Sequence, residues 1–365
     1  MKKKVWISAI VIFLSIGYFT MQNFSQSNGT QSFINNTELQ TILPESKWQG
    51  NSIDEDGKFS NLEHPFNPTF SMAWQMMREG NPQKEEKQNE TFSLPIVNDT
   101  SFVDNSEDVI VWLGHATFFI RFNGITFITD PVFKNASITK RKSQLPFDVN
   151  LLKNIDYILI SHDHNDHLDK KSLKLLVKNN PEAEILSGLK MDEWFIKMVD
   201  SPKMQLAGWY QQYKTDTSKI KIYFLPARHW SSRFLFDANK HLWGSFVIQA
   251  DDRKIYFSGD TGYDSHFKEI GTLFNGIDIC IMGIGAFKPE WFMSPNHISP
   301  TDAVKASNEM HVKQFIPMHY GTFDLSNELL GEPIEILEDE NQQNKLEADL
   351  INLKIGENFY FNKPQ

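Results

Sequence analysis

A single cysteine, Cys280, in 365 residues excludes an intrachain disulfide framework and a cysteine-rich zinc site. It sits in the apolar run Ile277–Met282 and reads as a small buried residue. Any metal must then be held by histidine and carboxylate. Basic runs are also missing. Outside Lys2, Lys3 and Lys4 there is no long Lys/Arg stretch, and the formal net charge is −10. A polyanion binder usually carries a basic patch, so this balance argues against nucleic acid as a partner. No internal repeat recurs at a fixed period. What the chain does have is 40% hydrophobic residues, enough for a large folded core.

Residues 1–21 are expected to be a signal peptide or membrane anchor. Three lysines precede an apolar run from Val5 to Phe19, which is short of the about 20 residues a spanning helix needs. The charge placement predicts export, with the body anchored or released on the periplasmic or extracellular face. Residues 22–50, rich in Asn, Ser, Gln and Thr, are expected to be a polar linker. The folded body is expected over 51–365.

Within the body, strand and helix patterns alternate. Val109–Trp112 is a short apolar strand. Phe118–Phe122 and Ile125–Thr129 flank Asn123-Gly124, a two-residue hairpin turn. Ile155–Ile160 is a continuous apolar run, as in a strand buried on both faces. A helix is expected near Lys171–Lys178. Further strands are expected at Ile220–Leu225, Ser245–Gln249, Lys254–Ser258, Asp278–Met282 and Gln314–Pro317. Residues 299–310 read as a helix capped by Ser299, with Pro300 in its first turn and Asp302 completing a capping pair.

The strongest chemical signal is Ser161-His162-Asp163-His164-Asn165-Asp166-His167-Leu168-Asp169, placed directly after a buried strand. Imidazole nitrogen and carboxylate oxygen suit zinc and related divalent ions, and packing supplies no reason for such a cluster. Other apolar strands also end in ligand-type residues, at His229, Asp260 and His319. In α/β folds, sites form where strand ends meet. Asp163 and Asp169 flank the cluster, where carboxylates often orient ligand imidazoles. His115 is open between such a supporting role and plain packing.

His162-x-His164-x-Asp166-His167, followed by His229, Asp260 and His319, resembles the metal-binding pattern of metallo-β-lactamase-fold hydrolases. The resemblance implies an α/β (α+β) fold, a four-layer αβ/βα sandwich with a dinuclear site between two sheets. It implies that His162, His164 and His229 hold one divalent ion. Asp166, His167 and His319 would hold the other, and Asp260 would bridge them. Zinc is the default, with iron or manganese compatible. Trp112-Leu113-Gly114-His115-Ala116-Thr117, Thr129-Asp130-Pro131, Gly283–Met293 and His319-Tyr320-Gly321-Thr322-Phe323 are similar to the group containing N-acyl-phosphatidylethanolamine-hydrolysing phospholipase D. That group implies hydrolysis of such a phospholipid to N-acylethanolamine and phosphatidic acid by a metal-bridging hydroxide. Asp166 and Asp260 would act in catalysis, and His297 would hold or protonate the phosphate or leaving group. Trp230, Trp291, Phe292 and Met293 are candidates for an acyl groove or a membrane contact. Two alternatives stand beside this: a lactonase or other small-ester hydrolase on the same site, and an envelope binding protein with a structural metal.

Overall fold

The computed structural model describes residues 32–65, 70–215, 217–234 and 237–361. The expected targeting segment at 1–21 lies outside the described residues. Among the described residues no helix is long and apolar enough to cross a membrane.

Two mixed sheets stack face to face, each covered by helices on its outer side, which is the four-layer αβ/βα sandwich. The seven-stranded sheet runs, in spatial order, through Asn358–Phe359, Val109–Trp112, Phe118–Phe122, Ile125–Thr129, Tyr157–Ile160, Glu184–Gly188 and Lys203–Ala207. The eight-stranded sheet runs through Asp349–Leu350, Val312–Met318, Ile277–Gly283, Arg253–Phe257, Ser245–Ala250, Lys221–Leu225, Gln211–Gln212 and Gln40–Thr41. Each sheet is antiparallel in one half and parallel in the other. The central parallel strand Tyr157–Ile160 is buried at every position, and its sequence is apolar throughout.

The period of two along these strands divides the core. Val109 and Val111 face one apolar cluster, with Leu173, Leu176 and Phe195 of the covering helices. Ile110 and Trp112 face the layer between the sheets, with Phe224, Phe246 and Phe257 opposite. The helix Lys170–Asn179 forms because Leu173 and Leu176 lie on one face and the Asp169 carboxylate caps its start. On the other outer side, Pro300–Glu309 is capped by Ser299, whose side chain accepts from Asp302 N. The Asn123-Gly124 turn has positive φ at both residues, 53° and 78°, as a type I′ hairpin requires.

The start of the body differs from expectation. Residues 32–50 are not a linker: Ser32–Ile34 pairs with Asn51–Ile53, and Gln40–Thr41 is an edge strand on Gln211–Gln212. Asn36 ties the segment to the body. Asn36 Nδ2 donates to Leu206 O at 2.7 Å, and the Asn36 backbone N–H donates to Gln211 Oε1 at 3.0 Å. Leu39 is buried, and the Trp48 ring packs edge-on against Tyr210.

The two sheets approach each other closely where Gly259 meets Ser161. Gly259, with φ +55°, follows Arg253–Phe257, and a Cβ there would lie 2.6 Å from Ser161 Cβ. Gly259→Ala is therefore predicted to combine left-handed strain with a clash, costing about 2–4 kcal/mol. Chemical denaturation reads this directly; an unchanged midpoint would mean the sheet ends can separate freely.

Candidate metal centre

The strand Tyr157–Ile160 releases the loop 161–169, and four of its side chains turn into the gap between the sheets. The strands Lys221–Leu225, Arg253–Phe257 and Val312–Met318 deliver His229, Asp260 and His319 to the same gap. All seven sequence-expected residues meet in two adjacent clusters, His162, His164, His229 and Asp260 in one and Asp166, His167 and His319 with His115 beside them in the other, that form a candidate dinuclear metal site.

In the first cluster His162 Nε2 and His164 Nδ1 lie 2.9 Å apart, and His164 Nδ1 and His229 Nε2 lie 3.1 Å apart. Asp260 Oδ2 is 3.9 Å from both His162 Nε2 and His229 Nε2. In the second, Asp166 Oδ2 is 3.4 Å from His167 Nε2 and 3.5 Å from His319 Nε2. Asp260 reaches this cluster too, with Oδ2 3.1 Å from His167 Nε2 and Oδ1 3.0 Å from His319 Nε2. Nitrogens around a tetrahedral zinc, at bond lengths of about 2.0–2.1 Å, sit about 3.3 Å apart. The first cluster is close to that spacing.

The outer nitrogens decide which atoms face inward. His162 Nδ1 is 2.8 Å from Ser161 Oγ, which itself donates to Asp130 Oδ2 at 2.6 Å. His229 Nδ1 donates to Asn296 O at 2.9 Å, and His167 Nδ1 donates to Asp130 Oδ2 at 2.7 Å. Each of these rings, when neutral, has its one proton held on the outside and presents a bare Nε2 to the gap. The buried Nε2 atoms of His167 and His319, which face the gap, have no hydrogen-bond partner. A donor set of bare imidazole nitrogens and carboxylates fits a divalent ion.

The electrostatics agree. Burial pushes the Asp260 carboxyl up, but His167 and His319 outweigh it and hold it well below the usual range. Burial pulls His319 down, yet Asp260 and Asp166 outweigh it and raise the ring to about 9. His162 and His229 are held well below the ordinary value, first by burial and then by neighbouring imidazoles. The carboxylate side of the gap calls for positive charge, and the imidazole side offers lone pairs.

His297 stands at the edge, with Nδ1 3.7 Å from Asp260 Oδ2 and its ring 5.2 Å from that of His229. Burial lowers it to about 4. Trp230 packs edge-on to His164, with ring centroids 4.7 Å apart. Trp291 is exposed, Phe292 is buried and Met293 is half-buried.

Two flanking carboxylates do other work than expected. Asp169 is the helix cap, accepting from Ser172 N and Oγ, and touches no ligand imidazole. Asp163 turns away to His241 Nδ1 at 2.9 Å and Trp194 Nε1 at 3.1 Å. Three contributors escaped the sequence reading. Asp130 ends a strand in Thr129-Asp130-Pro131, a polar residue after an apolar run, and that pattern could have been used. The Asn296 carbonyl carries no sequence signal. Nor does Arg233, which donates to Asp163 O, Leu168 O and Asn165 Oδ1 and so fastens the ligand loop. Cys280 is buried in the core, away from the centre.

The beta-lactamase superfamily domain matches residues 126–320, more than half of the chain. The chain is 31% identical over 283 residues to N-acyl-phosphatidylethanolamine-hydrolyzing phospholipase D 1 of Caenorhabditis elegans, covering 73% of this chain and 80% of that one. It is 34% identical over 237 residues to the mitochondrial N-acyl-phosphatidylethanolamine-hydrolyzing phospholipase D of Saccharomyces cerevisiae, covering 62% of this chain and half of the yeast protein. Among solved structures, an isothiocyanate hydrolase from Delia radicum gut bacteria aligns with TM-score 0.57 and 16% identity, over 69% of this chain and 99% of that one.

Asp130→Asn keeps the shape but weakens the acceptor on His167 and Ser161. Loss of such a supporting carboxylate is predicted to weaken metal binding about 10- to 100-fold. Competition against a chromophoric chelator measures this, and wild-type affinity in the variant would sink the assignment. Chelation of the wild-type protein is expected to lower its unfolding temperature, and added zinc to restore it.

Proposed function

Because the chain belongs to the metallo-β-lactamase superfamily and is a metal-dependent hydrolase of that fold, we propose that it is a phosphodiesterase acting on N-acyl-phosphatidylethanolamine-like phospholipids. The products are an N-acylethanolamine and phosphatidic acid, and the cofactor is a pair of zinc ions. The observation that carries this reading is the 31% identity to a worm enzyme named for that hydrolysis, extending over four-fifths of the enzyme's length.

In this reading His162, His164 and His229 hold one ion, Asp166, His167 and His319 the other, and Asp260 lies between. Bound there, the ions supply a water of lowered pKa and positive charge for the phosphoryl oxygens. The protein's own groups prepare the rest. Ser161, Asp130 and the Asn296 carbonyl fix the ring orientations, so the donor atoms need no rearrangement. Asp166 and Asp260 stay ionised. His297, neutral at physiological pH, faces the open side and donates a hydrogen bond to a phosphoryl or leaving oxygen. Water oxygen gives up a proton and bonds to phosphorus, the bond from phosphorus to the ethanolamine oxygen breaks, and that oxygen takes a proton from His297, which regains one from solvent, and leaves as the alcohol.

Apolar surface near the site supports a lipid. Trp74 and Met77 are exposed on the helix Phe70–Glu79, at 50% and 43%. Exposed Trp291 is tied to that helix by its Nε1 hydrogen bond to Glu79 Oε2 at 3.1 Å. Large exposed apolar groups gathered in one place commonly mark a binding surface. We propose that this face meets the membrane, with the body exported as the N-terminal sequence suggests.

The test is a mass-spectrometric assay of purified protein for N-acylethanolamine release from N-acyl-phosphatidylethanolamine vesicles. Product that is lost in Asp260→Ala supports the reading. Two bound metals without product, and turnover of a water-soluble lactone instead, would replace it with the lactonase. His297→Gln is predicted to lower kcat about 100-fold or more while keeping both metals. Full activity in that variant would remove His297 from the mechanism.

A further inference from the structure

We propose that His115, which belongs to neither ligand set, is the positioning residue for the second metal position, holding Asp166 by a hydrogen bond from Nε2 so that loss of this bond empties that position and spares the first. The inference rests on the two-ion centre described above.

The ring of His115 is 1% exposed, and its Nε2 lies 2.9 Å from Asp166 Oδ2. Its Nδ1 is buried and faces no hydrogen-bond partner. A neutral imidazole carries one proton, so that proton belongs on Nε2, directed at the carboxylate. A nitrogen in that state cannot coordinate a metal, which separates His115 from the ligands around it. The other face of the ring lies against His319, with centroids 3.9 Å apart, and its edge meets Phe323 at 4.9 Å. His115 therefore touches two members of the second cluster.

The backbone is built to hold the ring there. His115 has φ 55°, a left-handed conformation that costs a non-glycine residue free energy and persists only where surroundings enforce it. Its N–H donates to Thr322 Oγ1 at 2.9 Å. Its carbonyl accepts from Trp112 Nε1 at 2.9 Å and from the His319 N–H at 3.3 Å. The turn after Val109–Trp112 is thereby pinned to the segment that carries His319.

The other inward-facing rings with identified supports use groups that leave Asp166 untouched. Ser161 supports His162, Asp130 supports His167 and Asn296 supports His229. Among the described residues, His115 is the hydrogen-bond partner of Asp166 that comes from outside the proposed ligands. Outer partners of metal ligands are worth about 10- to 100-fold in affinity.

The experiment is zinc titration of chelator-stripped full-length protein, with bound zinc per chain measured after dialysis, for wild type, His115→Ala and His115→Gln. The amide nitrogen of Gln reaches the position of Nε2 and donates to a carboxylate, but it is a poor zinc ligand. Expected are two zinc per chain in wild type and one tight zinc in His115→Ala, with the second weakened about 10- to 100-fold. His115→Gln is expected to bind two. Two tight zinc in His115→Ala would overturn the proposal. So would one in His115→Gln with native circular dichroism, which would make His115 a ligand. Wild-type protein binding fewer than two zinc would overturn the centre itself, and this inference with it.

Discussion

Much of the centre hangs on one buried carboxylate. Asp130 has no solvent exposure, and burying an unpaired carboxylate costs several kcal/mol. Burial raises its pKa, and the hydrogen bonds from His167 and Ser161 oppose that rise without reversing it. Three donors offset that cost: Ser161 N at 2.8 Å, Ser161 Oγ at 2.6 Å and His167 Nδ1 at 2.7 Å. Those bonds fasten the end of Ile125–Thr129 to the first residue of the ligand loop. They also fix His167 directly and His162 through Ser161. The adjacent strand pairing and the orientation of two rings in different clusters thus share a single anchor. A site assembled on strand ends is as rigid as the sheets that carry it.

The loop also exploits its own spacing. His162 and His164 turn to one cluster, while Asp166 and His167 turn to the other, so nine residues serve two positions. Such a loop makes few regular backbone bonds, and it needs external ties. Arg233 supplies them with its fork of donors, reaching two carbonyls and the Asn165 side chain. Because Arg233 lies four residues beyond His229, the tie also links the loop to the strand end that completes the first cluster.

The central strands were legible because burial on both faces leaves a short apolar run rich in β-branched residues, as at Tyr157–Ile160. The Asn123-Gly124 hairpin was legible because two consecutive positive φ values favour that pair. His162, His164, Asp166 and His167 stood out because packing gives no reason for such a cluster, and His229, Asp260 and His319 because each follows an apolar strand. The edges were not legible. Residues 32–50 look like a linker by composition, yet Asn36 and Gln211 satisfy backbone groups across a long sequence separation, which local pattern does not encode. Asp163 and Asp169 show the same limit at the site. Both flank ligands in sequence, but one caps a helix and the other pairs with His241 and Trp194, choices made by side-chain direction and tertiary neighbours.

The same reasoning separates chemistry from substrate choice. Metal ions held by bare imidazoles and carboxylates would polarise any ester oxygen that reached them, so the inner residues select a reaction class and little more. Discrimination must come from groups that contact the remainder of the substrate. On this chain the candidates are Trp230 against His164, His297 beside Asp260, and the apolar face carrying Trp74, Met77 and Trp291. An apolar contact of this kind discriminates by area removed from water, which grows with chain length. A long acyl chain can exploit that term, whereas a small polar lactone can gain little from it. A preference for lipid would therefore rest on residues outside the ligand motif, and could change without altering the metal-binding pattern.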